Sequence, residues 1–564
     1  VALRAFPLLS PRCAQREGDT ASAAVAGLGH DSFSRRMQRD GSLTFMPSLP
    51  TPDRRDFLRH AASVAGIAAL PRWAWAGGAL RHDPFGLGVA SGDPTSDGMV
   101  LWTRLLPSGP GEPMAAQTVR WEMAEDEGFR RVVQRGTATA LPALAHSVHV
   151  ELAGLAPDRW YHYRFLHGDA VSPTGRTRTA PAPSQMPARL RLAFASCQNW
   201  EHGHYAAWRH LVQDAPDLVL FLGDYIYEYA TPSDTSGLAR IQPLRHATTL
   251  ADFRDRYTLY KSDPLLQAAH AACPWGVVWD DHEVQNDYAG ATGRGDDPAA
   301  FLALRSAAWQ AFYEHMPLRA ATLGQKGLAL PRHLAWGQLA HIHLLDMRQH
   351  RDAQACRRPA ARSAGAVRPE DCAALADPAR TLLGAAQERW LDAGLAQDAR
   401  QQARWSVLAQ TTLFSPRAYP SGLRATDTWD GYPAARQRLL HSIAGHAPRN
   451  TVVLGGDIHQ NYVCRVPADA ERPDAPALAS EFCGTSISSR SGTTQDRVDA
   501  VARHNPHVLL ARCEERGYGL ADITPARWTT TLRAVDDPLR ADSGARTLAR
   551  FVVEDGRPGP VALG

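Results

Sequence analysis

Four short segments place acidic, thiol, phenol and imidazole side chains directly after apolar runs. They are Phe194-Ala-Ser-Cys197-Gln198, Phe221-Leu-Gly-Asp224-Tyr-Ile-Tyr227-Glu228, Val278-Trp-Asp280-Asp281-His282-Glu283 and Leu454-Gly-Gly-Asp457-Ile-His459-Gln460. Each is weak alone. A Gly-Asp after a strand is most often a turn, a lone buried Cys is usually a small core residue, and an Asp-x-His pair is commonly a hydrogen-bonded surface feature. Four such endings in one region are much harder to explain by structure alone. Buried carboxylates need partners, because unpaired buried charge costs several kcal/mol or neutralises itself. A pair of cations would supply them. Thiolate and phenolate together suit a trivalent, polarising ion such as Fe³⁺, and carboxylates suit Ca²⁺, Mg²⁺ or Mn²⁺. His459 adds one imidazole. Two cations roughly 3.5–4 Å apart can clamp a phosphoryl group and acidify a water, so no serine nucleophile is required. The sequence has no Gly-x-Ser-x-Gly elbow, no Walker A loop and no His-Glu-x-x-His, which sets aside the commonest serine hydrolases, P-loop NTPases and zincins.

The elements that must position these groups alternate apolar runs with helical stretches from about residue 188, the grammar of an α/β domain. The runs are Leu190–Ala195, Leu218–Leu222, Gly276–Trp279, Leu339–Leu345, Trp405–Ala409 and Val452–Leu454. Amphipathic helices are expected over 299–315 and 380–400. Ligands bind outside the carboxyl ends of strands in open α/β sheets, so the four endings can converge although they lie up to 262 positions apart. Residues 80–183 read differently, as short strands separated by turns, the pattern of a β-sandwich. There Tyr161, Tyr163 and Phe165 should face one side, and the stretch from Leu152 to Phe165 resembles the end of a fibronectin type III-like module. Three segments are therefore expected: 1–76, 80–183 and a catalytic domain over 188–555.

The chain has 564 residues, 44% hydrophobic and 21% charged, the composition of a folded globular protein. No apolar run reaches the roughly 18–20 residues of a membrane-spanning helix. The net charge of +3 hides an asymmetry, since residues 1–76 hold ten Arg against six acids and the rest nets −1. A near-neutral body without a basic stripe argues against a nucleic-acid-binding module, and no marker of oligomeric state is present. Residues 53–76 have the charged start, short apolar core and Ala-x-Ala ending of an export signal, and Arg54-Arg55 before Phe57-Leu58 reads as a twin-arginine signal. That predicts passage through the twin-arginine export machinery to the periplasm or the extracellular space, with cleavage after Ala76. Met37 or Met46 is the expected true start. An exported protein can hold disulfides: Cys356 and Cys372 should staple one irregular insertion, Cys464 and Cys483 are a weaker pair, and Cys197 should be free.

These residues resemble the PhoD-like alkaline phosphatases and phosphodiesterases, within the calcineurin-like metallophosphoesterase superfamily. The matching pieces are Gly86–Pro94, Trp102-Thr-Arg104, Ser196-Cys-Gln198, Gly223–Glu228, Trp279–Glu283, Leu345-Asp-Met-Arg348, Gly455–Gln460 and Glu481–Ser486. The resemblance implies a metallophosphoesterase-type β-sandwich core with helices outside, preceded by the small fibronectin III-like β-sandwich. It implies an exported, metal-dependent phosphoesterase with Fe³⁺ and one or two Ca²⁺ ions, acting on phosphate monoesters, diesters or both. Cys197, Asp224, Tyr227 and His459 would hold the ferric ion. Asp224 would bridge to calcium, bound also by Asp281 and Asp457. His282 would be the catalytic helper or the acid for the leaving group, and Asp280 would orient a neighbour. Arg348 and Arg351 would either bind substrate phosphate or form ordinary salt bridges. His202, His204 and Asn286 could line the mouth, and the Ala/Arg-rich stretch 352–378 could act as a lid. Strands at Trp528–Ala534 and Ala549–Val553 stand where the family often carries a covering helix. Other readings are a phospholipase D-like diesterase, a non-catalytic binding protein on the same fold, and a mononuclear zinc hydrolase, the last disfavoured by Tyr227 and the carboxylate count.

Overall fold

The computed structural model describes residues 82–563 except 110–113, 296, 325–326, 358–364 and 473. The export signal lies outside the described residues. The fold is α/β, with two large sheets face to face. The ten-stranded sheet has Leu190–Ala195, Leu218–Leu222 and Trp275–Val278 at its centre, parallel to one another. The seven-stranded sheet carries Ala340–Leu344, Trp405–Ala409, Thr451–Gly455 and Ala477–Cys483 as its parallel centre. Strand alternation assigns each side chain its layer. Leu218, Leu220 and Leu222 point into the inter-sheet core with Ile342, Val407, Val452 and Leu454. Val219 and Phe221 point the other way, against Trp208, Phe253, Tyr257 and Leu266. On the far side of the second sheet, Leu408 and Val453 pack against Leu391, Leu395, Leu440 and Ile443. Both faces of each central strand are thus buried, and that is why a strand such as Leu218–Leu222 reads as an unbroken apolar run. The helices lie outside, as expected.

The predicted helices appear at Pro298–His315 and Ala385–Gln401. The second starts five residues later than expected because Gly384, at φ 76°, breaks the backbone before it. In the N-terminal region the strands Gln117–Ala124, Val132–Ala140, Trp160–His167, Ala170–Val171 and Gly175–Arg178 form a separate small sheet. Tyr161, Tyr163 and Phe165 do share its buried face. Val89–Gly92, Val100–Arg104 and Ser147–Glu151 extend the ten-stranded sheet instead, through a parallel contact between Gly92 and Trp275. The C-terminal strands run over Arg527–Val535, Ala545–Glu554 and Arg557–Leu563.

Cys356 and Cys372 form a disulfide. Cys464 and Cys483 do not pair. They lie on adjacent antiparallel strands, but the register sets Cys464 opposite Glu481 and Cys483 opposite Tyr462, so the thiols are never face to face. Cys197 is free. Among the described residues no helix is long and apolar enough to cross a membrane.

Candidate metal centre

The four strand endings meet. Cys197, Asp224 and His459 bring one ligand atom each to within 4.8 Å of one another. Asp224, Asp281 and His282 form a second such group, and Asp280, Asp281 and Asp457 a third. Asp224 and Asp281 each belong to two groups, so the clusters are contiguous.

The backbone makes unusual turns to achieve this. Cys197, Asp224, Asp457 and His459 all lie in the left-handed region, at φ 57°, 57°, 64° and 55°. That conformation is uncommon for residues with a Cβ, costs energy, and gathers at functional sites. Neighbouring loops hold it in place. Cys197 N–H donates to Gly223 C=O and Gln198 N–H to Asp224 C=O, each at 3.1 Å. Gly223 lies at φ 86°, and a Cβ there would fall 2.5 Å from the Cβ of Asp280. Only glycine lets these loops approach so closely. Buried Glu283 accepts N–H bonds from Asp224 (3.2 Å), Tyr225 (2.6 Å) and Asp280 (2.8 Å), fastening two endings together.

The Tyr227 hydroxyl lies 3.0 Å from both Asp224 Oδ2 and His459 Nε2, and Ser489 Oγ donates to it at 2.8 Å. His459 Nδ1–H donates to the Arg490 carbonyl at 2.7 Å. That bond leaves Nε2 unprotonated and turned toward Tyr227 and Asp224, the tautomer a metal ligand needs. Burial pushes His459 down to about 3, which keeps the ring neutral. Asp457 Oδ2 accepts from Thr412 Oγ1 at 2.7 Å. His282 Nδ1–H donates to Glu228 Oε2 at 2.7 Å, and its ring lies against Tyr227 with centroids 4.1 Å apart. Burial pulls His282 down, but Glu228, Asp281 and Asp224 outweigh it and hold the imidazole protonated.

Burial pushes the Asp224 carboxyl far above the usual carboxylate range, and Asp281 and Asp280 add to this against the charge of His282. Burial raises Asp457 likewise, with Asp280 adding to it. The Cys197 thiol is raised by burial and by Asp224. Burial works against the Asp281 charge too, but Arg348 and His282 outweigh it and hold that carboxyl low. Asp281 Oδ1 is buried without a hydrogen-bond partner, with Arg348 Nη2 at 3.7 Å. Buried acids crowded in this way, one with an orphaned oxygen, fit bound cations, which reverse the penalty on each charge.

Asp280 touches the third group, but Arg348 Nε (2.6 Å) and Thr411 Oγ1 (2.8 Å) take its Oδ1, and Arg348 Nη2 lies 3.2 Å from its Oδ2. Arg348 is 1% exposed and also grips Asp427 at 2.9 Å. Of its two expected roles, the salt bridge is the one the structure shows. Arg351 is buried beside Asp427 and Tyr432 in the same way. Asn286 Oδ1 accepts from the Tyr229 hydroxyl at 2.9 Å, and His202 Nδ1 accepts from the Arg490 N–H at 3.3 Å. Sequence reasoning passed over Glu228, Glu283, Thr412 and Ser489. The first two stand in motifs already in view, but His282 for Glu228, and Asp224 and Tyr225 for Glu283, come from the other motif.

The family description PhoD-like phosphatase matches residues 192–532, and that of the PhoD-like phosphatase N-terminal domain matches residues 72–181. The chain belongs to the PhoD-like phosphatase family. It is 41% identical over 529 residues to alkaline phosphatase D of Bacillus subtilis (strain 168), covering 90% of this chain and 89% of that protein. A solved structure titled "Structure of PhoD" superposes with a TM-score of 0.81 at 41% identity, covering 86% of this chain and 94% of that one. The protein is a phosphoesterase, a hydrolase of phosphate esters.

Proposed function

We propose that this PhoD-like phosphatase hydrolyses phosphate monoesters, diesters or both at a mixed Fe³⁺/Ca²⁺ centre. Cys197, Asp224, Tyr227 and His459 would hold the ferric ion, with Asp224 shared with calcium bound by Asp281 and Asp457. The observation that carries this reading is the sharing of Asp224 between a group with a thiol and a neutral imidazole and a group with a second carboxylate, Asp281, beside the protonated His282. One side offers soft and polarising ligands and the other hard oxygen. The cations, when bound, would supply positive charge to phosphoryl oxygens and acidify the attacking water.

The protein's own groups do the rest. Glu228 fixes the His282 ring through Nδ1 and keeps it charged. His282 can then give a proton to the departing ester oxygen. Tyr227, packed against that ring at a tilt of 32°, limits its rotation. The Asp280–Arg348–Asp427 chain of charge keeps the loop carrying Asp281 in place. The twin-arginine motif at Arg54-Arg55 and the Ala-x-Ala ending support export through the twin-arginine machinery, to the periplasm or the extracellular space.

p-Nitrophenyl phosphate and bis(p-nitrophenyl) phosphate, assayed before and after chelation, test the proposal. Hydrolysis should vanish when the metal is removed and return on adding both ions. Full hydrolysis by a protein verified to be metal-free would contradict it.

A further inference from the structure

A second group of metal-capable side chains lies at the edge of the seven-stranded sheet. His333 stands on the edge strand Arg332–Trp336, and His341 and His343 on the neighbouring strand Ala340–Leu344. The antiparallel register pairs His333 with His343 directly and sets His341 two positions away on the same face. Leu334 and Ile342, between them, point the other way into the inter-sheet core. The three imidazoles therefore share one face, toward the helix Ala385–Gln401. Ring centroids separate His333 from His341 by 4.9 Å and from His343 by 5.0 Å.

The helix completes the group. Trp390, Gly394 and Asp398 recur every four residues and so lie along one side of it. Trp390 meets the His343 ring edge at 5.8 Å. A Cβ at Gly394 would fall 2.7 Å from His343 Cε1, so glycine lets the ring lie under the helix. One turn on, Asp398 accepts from His341 Nδ1–H and His343 Nε2–H at 2.8 Å each. His343 Nδ1 is buried without any hydrogen-bond partner, so every polar bond that ring makes is directed into the cluster.

We propose that His333, His343 and Asp398 form a second metal site, for a borderline cation such as Zn²⁺. Each offers a ligand atom, and these atoms lie within 4.8 Å of one another; the ion would take the place of the proton between His343 Nε2 and Asp398 Oδ2, that proton passing to the unpartnered Nδ1 of the ring. Bonds of about 2.0–2.1 Å to a tetrahedral Zn²⁺ bring ligand atoms to roughly 3.3 Å apart, so binding would draw the three side chains together. Two imidazoles and a carboxylate favour zinc over the hard cations. His341 is a positioning residue, holding the second carboxylate oxygen. His333 is exposed and gives the ion its entry path. The ion would tie the edge hairpin to the helix, apart from the catalytic centre.

The test is metal content of the full protein carrying its catalytic ions, equilibrated with Zn²⁺ and with Co²⁺ in parallel, for wild type and His333→Ala. Wild type should take up about one further equivalent of zinc and show tetrahedral Co²⁺ absorption, with Tm raised by zinc. His333→Ala, an exposed change that leaves the core intact, should lose the extra equivalent, the absorption and the Tm rise. Its p-nitrophenyl phosphate hydrolysis should stay at the wild-type level. His341→Asn should weaken the extra site without abolishing it. Equal zinc uptake and equal Co²⁺ spectra in wild type and His333→Ala would overturn the proposal.

Discussion

In the small N-terminal sheet, buried side chains follow the two-residue period of a strand. Tyr161, Tyr163 and Phe165 are buried, while His162 and Arg164 are half-buried between them. At the metal centre no such period operates. Cys197, Asp224, Asp457 and His459 all adopt left-handed backbone just past their strands, at a cost on the order of 1 kcal/mol or more each. The first region is arranged for burial alone. The second forces polar groups into each other's company, and the rigid strands beneath absorb the strain. Side chains in the first should therefore control stability, and those in the second chemistry.

Asp224→Asn should show the largest effect. Removing the shared carboxylate should lower kcat/KM by at least about 10³-fold, with the fold retained by circular dichroism. A variant within tenfold of wild type would dissolve the distinction. Phe165→Ala should do the reverse, costing about 3–5 kcal/mol in denaturant unfolding while the rate per folded molecule stays the same.

Glu228→Gln sharpens the contrast within the centre. Its loss should lower kcat by about 10–100-fold, the usual penalty for removing the partner that orients a site histidine. Glu228 raises His282, so without its charge the ring loses its proton at lower pH. The alkaline limb of the rate profile should shift toward lower pH, a change that purely structural damage would not produce.

The smallest effect concerns stability and pH. Without cations, Asp224 and Asp457 titrate above their unfolded values, chiefly through burial. A carboxyl raised on folding favours the fold below its unfolded pKa of about 3.9, and that advantage is lost as pH rises through the folded value. The Tm gap between metal-loaded and chelated protein should widen as pH is raised from about 4. Phe165→Ala should lower both forms equally and leave the gap unchanged.

The sequence already pointed to the strands carrying the centre, because burial on both faces writes Leu218–Leu222 and Val452–Leu454 as apolar runs. Trp405–Ala409 appears at its expected bounds. The site side chains were legible because each follows such a run. Their supports were not. Glu283 binds backbone N–H groups of two loops, and Arg348 joins Asp280 to Asp427 across 68 and 79 positions. No local pattern encodes contacts of that span. The failed Cys464–Cys483 pairing shows the same limit, since strand register decides which side chains face each other. The sharing of one sheet by Gly92 and Trp275 was equally hidden, for the N-terminal strands read the same whether they close a sandwich or extend a neighbour.

Elemental analysis of the purified protein, prepared without chelator and paired with its visible spectrum, tests the central claim most directly. The account predicts iron and calcium bound together, with a purple absorption from Tyr227 on ferric iron that Tyr227→Phe abolishes. A fully active protein containing neither iron nor calcium would contradict it.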